Sequence, residues 1–420
     1  MSVTPILQPS TAVSGAANYR GRYQDIFGSE GFLNKYNVER VEEIDLLGLA
    51  TISGIDLLFL GDPGVGKTWA IELLVNHGLT GMNLFNHLLA KDQSAAELLG
   101  PKDVMAMTQG VEARMTKGYL PEANYAYLDE VFKASPPMLN PLLDIGANRK
   151  LKVGGKVIDC SQLLSIFMSS NELPDREDLA AFRDRIAITK FVQPVRTPEG
   201  RRAVTDIQLA YDENNRQVDT TGLNPLSLDD IYAIRAEVAQ VQMPDAIRNL
   251  MSDIEQACLE AGHPISQRRK RDILRVVKAR AWTQGRGSVV ADDFLPAQHM
   301  DWNLPDHAAS GRQIILDRAS VFMRKASRLK EAMEPVAAAL EELRVKLQAT
   351  TSESDRDDLI DNGGGFRFLR QLKRLSREGQ DQIAEGQAQG QDTAMIAEVV
   401  AEIDRAHEWA ENMLASGGAA

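Results

Sequence analysis

The chain predicts an α/β domain built on a parallel sheet, followed by regions that are wholly helical. Three observations lead there. Up to about residue 193, short apolar runs alternate with helical patterns, the mark of βα units assembled into a parallel sheet. Beyond Ser227 the strand signals stop and helical periodicity takes over. Between the apolar run 55–60 and the helix-like run 69–75 lies Gly61-Asp62-Pro63-Gly64-Val65-Gly66-Lys67-Thr68. That octapeptide has the GxxxxGK[ST] form in the strand, loop and helix context of a phosphate-binding loop.

Taken in order, residues 1–18 are small and polar and are expected to be a flexible N-terminus. Residues 19–195 are expected to form the αβα nucleotide-binding core, with buried strands at 57–60, 83–88, 125–128, 163–168 and 187–192. Within it, 150–158 alternates around Gly154-Gly155 and predicts a β-hairpin. Residues 196–225 are polar and turn-rich and are read as a connection or insertion. Residues 226–303 form a helical domain opened by a capping box, Ser227-Leu228-Asp229-Asp230. Residues 304–420 carry two heptad seams: one runs from Ile315 through Leu329, Met333 and Leu340 to Leu347, the other from Ile396 through Ile403 to Met413. The short links between them predict a helical hairpin or three-helix bundle.

A chain of 420 residues is too long for one core, so more than one domain is expected. Apolar content of 44% with 25% charged residues is that of a soluble globular protein. The longest apolar region, 46–60, is interrupted by Ser53 and Asp56 and is too short for a bilayer, so no membrane span is expected. Cys160 and Cys258 cannot make a disulfide framework, which suits a reducing cytosol and a cytoplasmic protein. The histidines show no metal-ligand spacing. A net charge of −12 argues against a large nucleic-acid footprint.

Glycines in the octapeptide let the backbone turn tightly and aim successive N–H groups at an anion, and the following helix adds its positive end. Lys67 then reaches the outer phosphates and the Thr68 hydroxyl ligates Mg²⁺. Downstream, Tyr125-Ala126-Tyr127-Leu128-Asp129-Glu130 is an apolar strand ending in two carboxylates. Asp129 suits the metal and its coordinated water, while Glu130 suits a general base for the attacking water. After the next apolar run comes Asn171, either a neutral orienter of that water or a cap of the following helix. Arg183-Asp184-Arg185 precedes the last strand; an arginine there neutralises transition-state charge at a neighbouring subunit, or serves as an ordinary helix-terminal arginine. Arg268-Arg269-Lys270-Arg271 opens a helix, and three readings stay open: a nucleic-acid patch, a solvated face, or one arginine folding over phosphates.

The runs 61–68, 118–135 (GYLPEANYAYLDEVFKAS) and 169–175 (SSNELPD) resemble the MoxR family of AAA+ ATPases, and within it most nearly the RavA branch. ISQRRKR at 265–271 and GRGSVVADDF at 285–294 extend the resemblance into a helical lid. The resemblance covers about 32–303 and implies a ring, a hexamer, that hydrolyses ATP with Mg²⁺ at subunit interfaces and remodels or activates a protein partner. It places Gly61, Gly66, Lys67 and Thr68 as Walker A, Asp129 and Glu130 as Walker B, Asn171 as sensor 1 and Arg268 as sensor 2. Arg185 takes the arginine finger, with Arg183 as its rival. It also implies a partner with a von Willebrand factor A domain. Residues after Arg312 lack the strand signals of the β-rich module of RavA. Two other functions are carried alongside: a nucleotide-switched scaffold, and a nucleic-acid-remodelling motor that the acidic charge disfavours.

Overall fold

The computed structural model describes residues 18–171, 185–300, 305–319, 321–350, 352–362, 364–388 and 393–416. Residues 1–17, nearly all of the segment read as a flexible N-terminus, lie outside them. Contacts divide the chain into two units, one of residues 1–244, 265–289 and 299–308, the other of 245–264, 290–298 and 309–420.

In the first unit, strands β1 (Leu57–Leu60), β3 (Leu84–Leu88), β4 (Tyr125–Asp129), β7 (Ser165–Ser170) and β8 (Ile188–Phe191) form one sheet in the order β3-β4-β7-β1-β8. A two-residue strand β2 (Leu79–Thr80) pairs separately with β9 (Leu226–Ser227). All four pairings in the main sheet are parallel. The central strands β1, β4 and β7 are buried along nearly their whole length and require cover on both faces, whereas β3, expected to be buried, is an edge strand with Leu84 and Leu88 exposed. Leu58, Leu60, Ala126, Leu128, Ile166 and Met168 join one core with Met138, Leu142 and Ile145 of α7 (Pro136–Asn148). On the other face α3 (Val41–Ser53) packs against β1. Tyr125, stacked on Phe167 with centroids 5.6 Å apart, donates its hydroxyl to the Thr51 carbonyl at 2.9 Å. The buried phenol is thereby satisfied and the sheet is tied to α3.

Strands β5 (Lys150–Val153) and β6 (Lys156–Asp159) form the expected antiparallel hairpin. Gly154 and Gly155 turn it at φ of 53° and 77°, values that favour glycine. After the short helix α5 (Ala96–Leu99), an insert carries α6 (Val104–Thr108) and is closed at its base by a bridge between Lys102 and Arg114. The stretch read as a connection contains a helix of 16 residues, α8 (Pro198–Glu213). Thr197 caps it, accepting from Gly200 N, and Pro198 sits in its first turn. The polar composition hid a well-formed helix start.

The capping box read at Ser227 is present: Asp230 N donates to Ser227 Oγ at 3.2 Å, and Ser227 N donates to Asp230 Oδ2 at 2.7 Å. It opens α9 (Leu228–Gln240), and Arg22 of α1 (Tyr19–Phe27) pairs with the same carboxylate at 2.7 Å. The unit also includes α2 (Phe32–Tyr36), α4 (Lys67–Leu73) and α11 (Gln267–Thr283).

The second unit is helical in its described residues: α10 (Asp245–Glu260), most of α12 (Pro305–Ala319), α13 (Val321–Ala349), α14 (Glu353–Asn362), α15 (Gly365–Ala388) and α16 (Ala394–Ala415). The two heptad seams meet inside it. Leu329, Met333, Leu340 and Leu347 of α13 form one core with Ile396, Ile403 and Met413 of α16 and Leu372 of α15. Gly379 marks the tightest approach, since a Cβ there would lie 2.2 Å from Val400 Cγ2. The side chains of Phe322 and Ala326 lie outside the described set. No helix among the described residues is long and apolar enough to cross a membrane.

Candidate functional site

The carboxyl end of β1 delivers the backbone into Gly61, which has φ of 152° and whose Cβ would lie 2.4 Å from the Val192 carbonyl oxygen. No side chain fits there. Gly66, at φ of 88°, is the N-cap residue of α4, so the first orphan N–H groups of that helix follow directly on the loop. Lys67, 7% exposed, donates to the carbonyls of Gly61 at 2.6 Å and Asp62 at 2.8 Å and to Asn171 Oδ1 at 2.7 Å. Burial lowers its pKa below the ordinary lysine value, while the carboxylates of Glu130, Asp129 and Asp62 pull it back up.

Asp129 ends β4 and Asn171 follows β7, so both arrive at the same edge of the sheet as the loop. Asn171 Nδ2 donates to Glu130 Oε1, and Lys133 Nζ lies 3.4 Å from the same oxygen. Glu130 Oε2 is buried with no hydrogen-bond partner. Such an oxygen is costly unless something outside the chain bonds it. Glu130 itself adopts φ of 55°, a left-handed backbone uncommon for a residue other than glycine. Asp129 Oδ1 accepts from Glu130 N at 3.0 Å and from Ser169 Oγ. Tyr127 Oη lies 3.0 Å from Thr68 Oγ1 and 2.8 Å from Ser169 Oγ.

The donor set suits Mg²⁺. A threonine hydroxyl and a carboxylate, both hard oxygens, are joined through this hydroxyl network, and no cluster of three or more His, Cys, Asp or Glu among the described residues forms a cage by itself. Mg²⁺ is held in this manner, by one or two protein oxygens with phosphates and waters completing the octahedron.

Beside the loop is a cavity of about 610 Å³ whose walls include Val38, Trp69, Val195, Ile207 and Tyr211. Trp69 meets Tyr211 of α8 edge-on at 5.4 Å. Arg40 fastens this side, donating to the Val65 carbonyl of the loop at 3.0 Å and to the Gln193 carbonyl at 2.6 Å. Its neighbour Glu39, at φ of 56°, accepts from the backbone N–H groups of Arg196 at 2.8 Å and Thr197 at 3.1 Å. The hydrogen bond from the Thr197 hydroxyl, followed by those two from the backbone, holds the Glu39 carboxyl below its usual pKa. Sequence reasoning missed this wall. The signals were Thr197-Pro198 as a helix start and the spacing of Val204, Ile207 and Tyr211, one apolar stripe of a helix.

Arg185 and Arg268 are brought together, but not at the loop. They line a cleft of about 230 Å³ with Asp56, Arg149, Arg271 and Arg275, at the amino end of β1, whereas the phosphate loop leaves its carboxyl end. Arg269, 4% exposed, donates to the carbonyls of Ile186 and Ala187, both at 2.6 Å, and so binds α11 to the backbone next to Arg185. Arg149 pairs with Asp56 at 2.8 Å. Neither Arg185 nor Arg268 lines the cavity beside the phosphate loop of its own chain. Arg183 lies outside the described residues, as do 172–175 of the SSNELPD run.

A five-stranded parallel sheet with a phosphate loop at one strand end and a carboxylate pair at another, followed by helices, is the architecture of an AAA+ ATPase. The family model of the MoxR domain in the MoxR-vWA-beta-propeller ternary systems matches residues 30–233, and that of an AAA lid domain matches residues 228–315. The chain belongs to the MoxR family of AAA+ ATPases. It is similar to the uncharacterized protein MJ0812 of Methanocaldococcus jannaschii, 32% identical over 275 residues that cover 65% of this chain and 70% of that protein. The uncharacterized protein MJ0079 of the same organism is 28% identical over 384 residues, 91% of this chain and 96% of the relative. Among solved structures, a protein of Cytophaga hutchinsonii assigned as an ATPase superposes with a TM-score of 0.56 at 18% identity, covering 71% of this chain and 93% of that one. That likeness is one of fold. These comparisons do not separate the RavA branch from the rest of the family.

Proposed function

We propose that the chain binds ATP with Mg²⁺ and hydrolyses it at interfaces between copies of itself in a ring, a hexamer as in the family it resembles, to remodel or activate a protein partner in the cytoplasm. One observation carries this reading: the phosphate loop and the Arg185–Arg268 cleft sit at opposite ends of β1. A site needing both is incomplete in one chain and complete where the cleft of one copy faces the loop of the next. In that site the metal would neutralise charge on the outer phosphates, held by Thr68 and Asp129. Lys67 binds the same phosphates. Glu130 Oε2 accepts a proton from the water that attacks the terminal phosphorus as the bond to the bridging oxygen breaks. Asn171, bonded to both Glu130 and Lys67, fixes the base relative to the phosphate. The assembly is tested by sizing the protein with and without ATP; a monomer active at high dilution overturns it.

The apolar wall formed by Val38, Val195, Ile207 and Tyr211 suits the face of a purine base. Ile207→Asp is expected to weaken ATP binding by about tenfold or more, since it replaces an apolar contact with a charge. Triphosphate binding, which uses only the loop, should change little. Equal losses for ATP and triphosphate in competition titrations would place the base elsewhere.

Two features support a protein partner. The matching domain takes its name from systems that include a vWA component, so a partner with a von Willebrand factor A domain is proposed. The insert also exposes Val104, Met105, Met107 and Met115, each at 47% or more, and methionine side chains adapt to varied apolar surfaces. The C-terminal helical bundle is proposed as the recruiting element. A chain ending at Asn303 should bind ATP with the affinity of the full chain and lose co-purification with the vWA protein. Loss of ATP binding on that truncation would make the bundle part of the ATPase fold instead.

A further inference from the structure

We propose that Tyr127 and Ser169 form a hydroxyl relay that holds Thr68 and Asp129 in one arrangement for the nucleotide's Mg²⁺, which makes Tyr127 a positioning residue for the metal rather than a core tyrosine. The inference rests on the reading of Thr68 and Asp129 as the metal-side residues and adds to it two groups that no motif assigns.

The hydroxyls are what need explaining. Tyr127 is 3% exposed and Ser169 is 0% exposed, on neighbouring strands of the central sheet. A phenylalanine at 127 and an alanine at 169 would fill nearly the same space without the cost of burying a hydroxyl, which is repaid only by hydrogen bonding. Both hydroxyls are bonded, and they are bonded in series. Thr68 Oγ1 is 3.0 Å from Tyr127 Oη, Tyr127 Oη is 2.8 Å from Ser169 Oγ, and Ser169 Oγ donates to Asp129 Oδ1.

Tyr127 Oη donates to Thr68 Oγ1 and Ser169 Oγ donates to Asp129 Oδ1, while the two hydroxyls lie 2.8 Å apart and either can give its hydrogen to the other. The carboxylate at the end can only accept. The two metal-side residues, Thr68 and Asp129, are thus each held by one of two hydroxyls that also touch each other.

With the Tyr127 hydrogen on one of its lone pairs, the Thr68 oxygen is held in place and keeps its second lone pair for a cation. Asp129 Oδ1 is already occupied by Ser169 Oγ and Glu130 N, so Oδ2 is the oxygen left for the metal or its water. Tyr127 is the link through which the two metal-side residues are held in one arrangement, the part played by hydrogen-bond partners behind metal ligands in general.

The test separates binding that depends on the metal from binding that does not. ATP affinity is measured by titrating a fluorescent ATP analogue in excess Mg²⁺ and again in EDTA, for the full-length chain. Wild type should bind more tightly with Mg²⁺. Tyr127→Phe should match wild type in EDTA within about twofold, because Lys67 and the loop are untouched, but lose about tenfold or more of the Mg²⁺-dependent gain, the usual size of effects behind the ligands. Ser169→Ala should shift in the same direction, while Ser169→Thr, which keeps the hydroxyl, should retain the gain. A Tyr127→Phe chain with the full gain overturns the relay. So does one whose affinity falls equally in both media, because that is the mark of a structural tyrosine. Thr68→Ala distinguishes this failure from failure of the site reading: if the gain survives without the Thr68 hydroxyl, the metal is not held there and the relay falls with it.

Discussion

A chain carrying Lys67→Ala is expected to lose ATP binding, whereas one carrying Glu130→Gln is expected to bind ATP and fail to hydrolyse it. The two differ because the side chains act on different steps. In the proposed site Lys67 supplies the positive charge facing the phosphates, and its removal also strands the acceptors it now satisfies, the carbonyls of Gly61 and Asp62 and the Asn171 side chain. Glutamine at 130 preserves volume and an acceptor for Asn171 but cannot take a proton from water. Asp129 remains bonded to Ser169 and to the backbone N–H of residue 130, so the metal side of the site is unchanged. Loss of a positioned general base costs about 10² to 10⁴ in rate. Phosphate release under saturating ATP, beside the fluorescent titration, checks both halves. Steady-state turnover near wild type in Glu130→Gln would remove Glu130 from the chemistry.

The candidate site was readable in the sequence because its pattern is local. A phosphate loop is written in eight consecutive positions, and a carboxylate pair at the end of an apolar run is visible without knowing which strands pair. The heptad seams were legible for the same reason: Leu329, Leu340 and Leu347, or Ile396 and Ile403, follow a period that names its own buried face. What sequence did not disclose depends on long-range placement. That Arg268 stands beside Arg185 is decided by the hydrogen bonds of Arg269 to the carbonyls of Ile186 and Ala187, 83 and 82 residues away in the chain. That Glu39 caps the region around Thr197 spans 158 residues. The link from Thr68 to Tyr127 crosses 59. No periodicity encodes such partners. The helix Pro198–Glu213 is a different case, since its start was written locally in Thr197-Pro198 and was outweighed by the polar composition around it.

Arg185→Ala is expected to leave ATP binding intact and slow hydrolysis by at least about a hundredfold, because an arginine finger contributes on the order of 10³ to 10⁵ to phosphoryl transfer. Binding survives because each chain keeps its own Lys67. The defect should be complementable: mixing Arg185→Ala with Lys67→Ala chains creates interfaces where an intact cleft meets an intact loop, so activity should partly return. The shared cleft extends the test to Arg268. If Arg268 also serves the neighbouring copy, Arg268→Ala mixed with Lys67→Ala should regain activity. Mixed with Arg185→Ala it should not, since every cleft then lacks one arginine. If Arg268 instead folded over the phosphates of its own chain, that last mixture would recover, because a cleft with Arg185 intact would meet a loop whose chain still carries Arg268. Recovery there would therefore return Arg268 to its own nucleotide. A mixture of Arg185→Ala and Lys67→Ala as inactive as its components, although mixed rings form, would overturn the trans-acting role of Arg185. The same defect from Arg183→Ala alone would pass that role to Arg183.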